Sequence, residues 1–145
     1  VYKTKKGREV YGGGGITPDI YSITKLNLED DSQKLLTHPE RLTFTYATKI
    51  KHEYLLLTFD EFKSSIKKSN IDINDFFTWL NSTESTIEIQ ASNVEKNWDY
   101  IQNRIFAEVA SMLWGKSYYY NIMLNYDTQF QTAILNIDNA KALLN

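Results

Sequence analysis

Glycine and proline, the residues that most often interrupt helices and strands, are distributed very unevenly along this chain. Five of the six glycines lie within the first fifteen residues, four of them as an unbroken run at 12–15, and the sixth is Gly115. Both prolines lie within the first forty residues. Because helix interiors exclude these residues, the pattern predicts strand and loop in residues 1–25 and mostly helix in residues 26–145.

The first eleven residues show the pattern of a two-stranded ribbon. Residues 1–6 alternate crudely in polarity, Gly7 follows as a turn residue, and residues 9–11 form a second short extended stretch. A ribbon of two strands is only marginally stable by itself. We therefore expect it to belong to a larger sheet, and otherwise to be poorly ordered, to pack on the helices, or to pair with another chain.

Capping signals and apolar spacing divide the remaining residues into about five or six helices. The acidic run at residues 29–31 suits the first turn of a helix, where carboxylates complement the helix dipole. Pro39 suits the first turn of the next helix, which continues to Ile50. Thr58 and Glu61 have the spacing of a capping box and predict the start of a short helix.

The longest predicted helix lies in the C-terminal half. A second capping box, Ser92 with Glu95, precedes it, and Gly115 is expected to end it as a left-handed cap. Asp72 or Asn74 caps the helix before it. Apolar residues at spacings of three and four predict one buried stripe along the long helix. They are Val94, Trp98, Ile101, Ile105, Val109 and Met112.

Two further helices are predicted after Gly115, at residues 118–124 and 127–144, with Asp127 as the N-cap of the second. The fold is thus expected to be mainly α. A short strand and glycine-loop segment at residues 1–25 precedes a helical module at residues 26–145.

The composition excludes several classes of function. The net charge of −2 provides no electrostatic footprint for nucleic acid. No apolar stretch is long enough to span a membrane, and no secretory signal is present. The chain has no cysteine, which excludes thiolate chemistry and disulfides. Aromatic residues make up 14% of the chain, and this excess is typical of core packing.

The glycine run at residues 12–15 has two interpretations. Glycine-rich loops can cradle phosphate with their N–H groups, but phosphate loops lead into a helix and often carry a lysine. Here Pro18 follows, and it favours extended backbone at Thr17. Close backbone packing or a positive φ is the favoured explanation.

Other residue pairs carry weak signals for chemistry. Ser64 and Lys67 match the Ser-x-x-Lys spacing of some acyl-transfer enzymes, but the accompanying motifs are missing, and a solvated helix face is favoured. His38 and His52 are the only histidines, and they are interpreted as solvated or capping residues rather than metal ligands. The acidic run at residues 29–31 lacks the ligand spacing of a calcium loop.

The tyrosine run at residues 118–120 could form a stacking platform for single-stranded nucleic acid. Basic residues are not interleaved around it, so core or interface packing is favoured.

One segment resembles a known family. Residues 7–20 read Gly-Arg-Glu-Val-Tyr-Gly-Gly-Gly-Gly-Ile-Thr-Pro-Asp-Ile. This closely resembles the segment that ends the catalytic domain of C-terminal processing peptidases, also called tail-specific proteases, where a strand is followed by Gly-Arg, a few residues and Gly-Ile-x-Pro-Asp. Residues 1–4 fit the preceding strand. The residues that match the motif are Gly7, Arg8, Gly15, Ile16, Pro18 and Asp19.

The resemblance continues, more loosely, into the helical part. Residues 81–91 depart most from the family pattern. The helical stretches that match are residues 44–46, 58–63, 113–115, 119–120 and 131–134.

The resemblance implies serine peptidase chemistry, in which a serine attacks the peptide carbonyl and an unprotonated lysine acts as its general base. In the family this serine and lysine, and the PDZ domain that reads the substrate, all precede the Gly-Arg segment. The chain is therefore expected to be the C-terminal region of a secreted or periplasmic endopeptidase that cleaves proteins near their C-termini. It is expected to contain no catalytic residue, cofactor or metal site of its own.

The partners implied by the resemblance are the rest of the same peptidase chain and, through it, a protein or peptide substrate. The helical module would dock on the peptidase domain, build a homodimer, or gate substrate entry, in the periplasm or at the cell envelope. The alternative is a stand-alone helical module for protein binding or oligomerisation, with its aromatic helices facing a partner.

Overall fold

The computed structural model describes residues 1–4, 7, 9–14, 18, 20–22, 26–68 and 70–142. Within these residues the chain forms a two-stranded ribbon, nine α-helices and two 3-10 turns. The strands are β1 (Tyr2–Lys3) and β2 (Glu9–Val10). The helices are α1 (Asp30–Thr37), α2 (Leu42–Ile50), α3 (Phe59–Ile66), α4 (Ile73–Asn81), α5 (Ala91–Glu95), α6 (Trp98–Trp114), α7 (Lys116–Met123), α8 (Thr128–Leu135) and α9 (Ile137–Ala142). The 3-10 turns are Lys51–Tyr54 and Leu124–Tyr126.

The mainly α prediction is confirmed, and so are most helix starts. Thr58 and Glu61 form the predicted capping box, in which the Thr58 N–H donates to Glu61 Oε2 at 2.8 Å. The Asp72 side chain caps α4 by accepting from the Asn74 N–H, also at 2.8 Å. Asp127 caps α8 by accepting from the Phe130 N–H at 2.9 Å.

The predicted capping box at Ser92 and Glu95 is wrong. Gln90 is the N-cap of α5, which ends at Glu95, and a separate helix begins at Trp98. The reason lies at Asn97, whose Oδ1 accepts from the Glu29 N–H at 2.8 Å and whose Nδ2 donates to the Asn27 carbonyl at 3.2 Å. These tertiary bonds hold Asn97 outside helical geometry, and the predicted long helix is divided there.

Three further predictions about helix bounds need correction. Pro39 lies in a turn before α2, because the residue preceding a proline favours extended backbone and His38 accordingly ends α1 with a ψ of 136°. Gly115 does end α6, but with φ 106° and ψ 170° it is not in the left-handed helical conformation. The predicted helix at 127–144 is also divided, at Asn136, and its last two residues lie outside the described part of the chain.

Helix α6 forms the centre of the core. Residues 105–110 are all buried, and α2, α3 and α7 pack around them. The residues of the predicted stripe do lie inward, since Val94, Ile101, Ile105 and Val109 are completely buried and Trp98 and Met112 are half-buried. A single stripe on one helix is not what forms, because Val94 lies on α5 and residues 105–110 are buried on all sides.

Aromatic side chains complete the core in two clusters, as the composition predicts. Phe76 lies edge-on to Tyr46, with ring centroids 4.9 Å apart, and 5.2 Å from Trp98. Phe62 lies 5.1 Å from Trp114 and packs against Phe106. Since both phenylalanines are fully buried, these contacts tie α3 and α4 to the central helix.

A buried carboxylate fastens α1 to the start of α5. Asp31 accepts from Lys34 Nζ at 2.8 Å, from Asn93 Nδ2 at 2.9 Å and from the Gln90 N–H at 3.1 Å. These hydrogen bonds, with that of Lys34 strongest, lower the pKa of Asp31 from 3.8 to about 2. The acidic first turn predicted for α1 is present, and one of its carboxylates points inward.

Two leucines provide a matched test of the core. We expect Leu35→Ala, at a fully buried position of α1, to lower the free energy of unfolding by about 2–5 kcal/mol. Leu56→Ala, at a position 98% exposed, is expected to change it by about 0.5 kcal/mol or less. Urea denaturation measures the free energy of unfolding of both variants. An equal decrease in the two would contradict the burial pattern.

The Asp31 hydrogen bonds predict a pH dependence of stability. Because the folded-state pKa lies below the ordinary value, the stabilisation is present above about pH 4 and is lost as the pH falls towards about 2. We expect Asp31→Asn to lower the melting temperature at pH 7. The difference in melting temperature from the wild type should shrink as the pH falls from about 4 towards about 2. Asp30→Asn, at the exposed neighbouring position, is the control. A difference that is the same at pH 2 and pH 7 would contradict the interpretation.

Candidate functional site

The ribbon has the strand, turn and strand order predicted from the sequence. β1 and β2 pair antiparallel, with Tyr2 opposite Val10 and Lys3 opposite Glu9. At the turn, Gly7 has a φ of 81°, and its N–H donates to the Thr4 carbonyl at 2.9 Å. Among the described residues these two strands are the whole sheet. Each strand therefore has one outer edge at which another strand can pair.

Two of the three described glycines of the run behave as the favoured interpretation predicts, one through close packing and one through a positive φ. A Cβ atom at Gly12 would lie 2.5 Å from Cε2 of the Tyr2 ring, so only glycine lets the ring lie there undisturbed. Gly13 has a φ of 115°, a region that other residues rarely adopt. These two glycines thus shape the loop that leaves the ribbon.

Only part of the sequence motif can be placed. Gly7 forms the ribbon turn and Pro18 lies beside α8, whereas Arg8, Gly15, Ile16 and Asp19 lie outside the described residues. The described motif residue Pro18 lies near helix α8, in the C-terminal part of the chain.

A crevice of about 420 Å³ separates the segment after the glycine loop from α8. Ile20 and Tyr21 line one wall, and Ala133 lines the other. The Thr132 hydroxyl donates to Ser22 Oγ at 3.3 Å across the junction. Residues 20–22 therefore lie beside α8.

Helices α8 and α9 carry an exposed apolar surface, which we name the C-terminal apolar face. It consists of Phe130, Ile134, Leu135 and Ile137. Phe130 and Ile134 lie one turn apart on the same side of α8, and Leu135 is 82% exposed. Among the described residues of α8 and α9, none is buried. Exposed apolar side chains grouped on two consecutive helices make this face a candidate site of protein interaction.

A second concave feature, the polar cleft, lies on another part of the surface. It has a volume of about 290 Å³ and is formed by the end of α3, the start of α6 and the 3-10 turn at Leu124–Tyr126. Its polar side chains are Lys67, Asp99, Gln102, Asn103, Asn125 and Tyr126. Except for Lys67, none of them is recognisable in the sequence as a site residue, because they come from three distant stretches of chain.

The serine of the Ser-x-x-Lys pair bonds to the main chain of its own helix. The Ser64 hydroxyl donates to the Asp60 carbonyl at 2.8 Å, which is an ordinary hydrogen bond of a helical serine. Ser64 and Lys67 are both exposed.

The histidines bond locally to the main chain, as expected for solvated or capping residues. His38 Nδ1 accepts from the Glu40 N–H at 3.4 Å, and His52 Nδ1 lies 2.7 Å from the Lys49 carbonyl. In the described part of the chain, no three His, Cys, Asp or Glu side chains come together as a metal site.

The tyrosine run contributes mainly to packing. The Tyr118 ring lies 4.6 Å from Phe59, and the Arg104 guanidinium lies 5.1 Å from the centre of the Tyr119 ring. Tyr120 is exposed. These contacts agree with core or interface packing and leave one ring of the three open to solvent.

Comparisons of the chain with family models, with curated proteins and with solved structures find no match. None of the described helices is long and apolar enough to cross a bilayer.

The C-terminal apolar face predicts how the isolated chain responds to polar substitution. We expect Ile134→Asp combined with Leu135→Asp to reduce binding of the dye ANS, which reports exposed apolar surface, and to leave the melting temperature within a few degrees of wild type. Leu56→Asp, an exposed leucine outside this face, is the control and should retain more of the ANS signal. A large fall in melting temperature would instead show that α8 belongs to the core.

Proposed function

We propose that this chain is the C-terminal accessory region of a serine endopeptidase of the C-terminal processing, or tail-specific, family. The parent enzyme would cleave proteins near their C-termini in the periplasm or at the cell envelope. The resemblance of residues 7–20 to the family motif supports this assignment.

The observation that carries the proposal is the position of the ribbon. β1 and β2 lie outside the helical core, and Tyr2 and Tyr11 are largely exposed. An isolated two-stranded ribbon buries too little to be stable. It is therefore suited to continue the sheet of a catalytic domain, with Gly12 and Gly13 shaping its exit.

The C-terminal apolar face supports the same arrangement. Ser22 and Thr132 join the segment after the ribbon to α8, so a domain that extends the ribbon would lie near this helix. One partner could then bury both the strand edges and the exposed side chains of α8 and α9. In this role the chain would position and stabilise the catalytic domain, and the Ser/Lys dyad would be supplied by that domain.

The runner-up is a stand-alone helical module for protein binding or oligomerisation. The exposed apolar residues of α8 and α9 favour it, because a second copy or another protein could cover them. Light scattering, which measures the oligomeric state, distinguishes the accessory region from the stand-alone module for one of its two outcomes. A monodisperse monomer weakens the stand-alone module, whereas a dimer is compatible with both.

The decisive test is cleavage of an unfolded substrate with an apolar C-terminal tail. This chain is assayed beside a version extended upstream through the parent gene. We expect only the extended version to cut. If neither cuts, the peptidase assignment is wrong. If this chain cuts by itself, the catalytic groups lie within it, and Ser64 and Lys67 become the first residues to replace.

The docking arrangement has its own test in the extended version. Ile134→Asp with Leu135→Asp is expected to lower its melting temperature and to speed amide hydrogen exchange in β1 and β2. Leu56→Asp, at a position that is more exposed than either, is expected to do neither. Unchanged exchange in the ribbon would show that another surface contacts the catalytic domain.

A further inference from the structure

The polar cleft combines a buried floor with a charged rim. Asn103, on α6, is only 8% exposed and forms part of the floor, together with the ring of Phe106. Lys67 and Asp99 lie at the rim, and both are exposed. The volume of about 290 Å³ lies near the lower end of ligand pockets, which span roughly 300–1,000 Å³. A cleft of this volume suits a small molecule, with about a dozen heavy atoms at most.

The floor amide is held by long hydrogen bonds. Asn103 Nδ2 donates to the Ile122 carbonyl at 3.4 Å and to Met123 Sδ at 3.6 Å, and Asn103 Oδ1 accepts from Asn125 Nδ2 at 3.4 Å. These distances exceed the usual 2.7–3.2 Å. The hydrogen bonds of this buried amide are long and therefore weak. A ligand that forms a shorter hydrogen bond with it gains more binding free energy than it would at an amide whose hydrogen bonds are already short.

The rim carries two opposite charges that do not neutralise each other. Within the described residues, neither Lys67 nor Asp99 takes part in an ion pair. One oxygen of Asp99 accepts from Gln102 Nε2 at 3.1 Å, which orients the carboxylate. Gln102 is itself fixed, because its Oε1 accepts from the Ile71 N–H at 3.3 Å.

Tyr126 adds a hydrogen-bond donor to the same rim. Burial chiefly, and the nearby Asp99 carboxylate, raise the pKa of its phenol. The hydroxyl is thus protonated at neutral pH and can donate to an oxygen of a bound molecule. Its ring is held edge-on against Tyr100, with centroids 5.4 Å apart.

We infer that the polar cleft binds a small zwitterion, a molecule with both a free ammonium and a free carboxylate. Asp99 receives the ammonium, Lys67 receives the carboxylate, and the Asn103 and Asn125 amides bond to the groups between them. A simple anion would meet the negative charge of Asp99, and a simple cation that of Lys67. A neutral sugar would leave both charges unused. This inference does not depend on the peptidase assignment.

Free amino acids and short peptides with free ends both carry this chemistry, so the experiment includes each. The chain is labelled with ¹⁵N and titrated by NMR with L-alanine, with tri-L-alanine, and with N-acetyl-alanine amide, which has neither charge. We expect saturable shifts, in the millimolar range, from at least one of the first two probes. The shifts should be confined to the end of α3, the start of α6 and the turn at Leu124–Tyr126.

Charge-removing variants identify the groups responsible. Lys67→Gln and Asp99→Asn are each expected to weaken binding by about tenfold or more. Lys68→Gln, an exposed lysine one position along that does not line the cleft, is the matched control and should bind as the wild type does. Both rim positions are exposed, so the amide spectra of the free variants should show an intact fold.

Each outcome of the titrations leads to a different conclusion. Binding of alanine alone indicates a free amino acid site, and binding of the tripeptide alone indicates a peptide site. The inference is overturned if neither probe gives saturable shifts at the cleft, if the uncharged probe binds equally well, or if Lys68→Gln weakens binding as much as Lys67→Gln.

Discussion

The rest of the structure depends on one segment of α6 that is buried on all of its sides. A helix completes a turn in 3.6 residues, so the six consecutive buried residues at 105–110 leave no side of this segment for water. Such a helix requires neighbours all around it, and α2, α3 and α7 supply them. Even its one buried carboxylate is paired: Glu108 Oε1 accepts from Arg104 Nε at 3.3 Å, and Arg104 lies over the Tyr119 ring of α7. The charge is thus compensated inside the helix bundle.

Much of this fold follows from local rules that are visible in the sequence. Caps at Thr58, Asp72 and Asp127 act within three residues of themselves, so spacing alone identifies them. The apolar stripe of α6 is equally local, since its period is that of the helix. What could not be predicted is the division at Asn97, because its partners Asn27 and Glu29 lie about seventy residues away in the chain. The inward position of Asp31 depends in the same way on a distant segment.

The functional features also differ in whether they depend on neighbouring or on distant residues of the chain. The glycine loop could be interpreted from sequence because the demands on Gly12 and Gly13 are set by backbone geometry and one nearby ring. The polar cleft could not, since Lys67, Asp99 and Asn125 meet only after three separate elements have packed. Nothing in the spacing of these ordinary surface residues distinguishes them. The C-terminal apolar face is intermediate, because the apolar residues of α8 are visible in the sequence but their exposure is not.

The contact between Ser22 and Thr132 has a consequence for how the molecule opens. It joins two regions, the segment after the ribbon and α8, that contribute nothing to the central core. Helices without buried side chains open at a low free energy compared with global unfolding. Helix α8 is otherwise tied to the bundle mainly at its start, where Gln131 Nε2 donates to the Leu124 carbonyl at 2.9 Å. Residues 20–22 and the two C-terminal helices are therefore expected to open at a lower free energy than α6 and its neighbours.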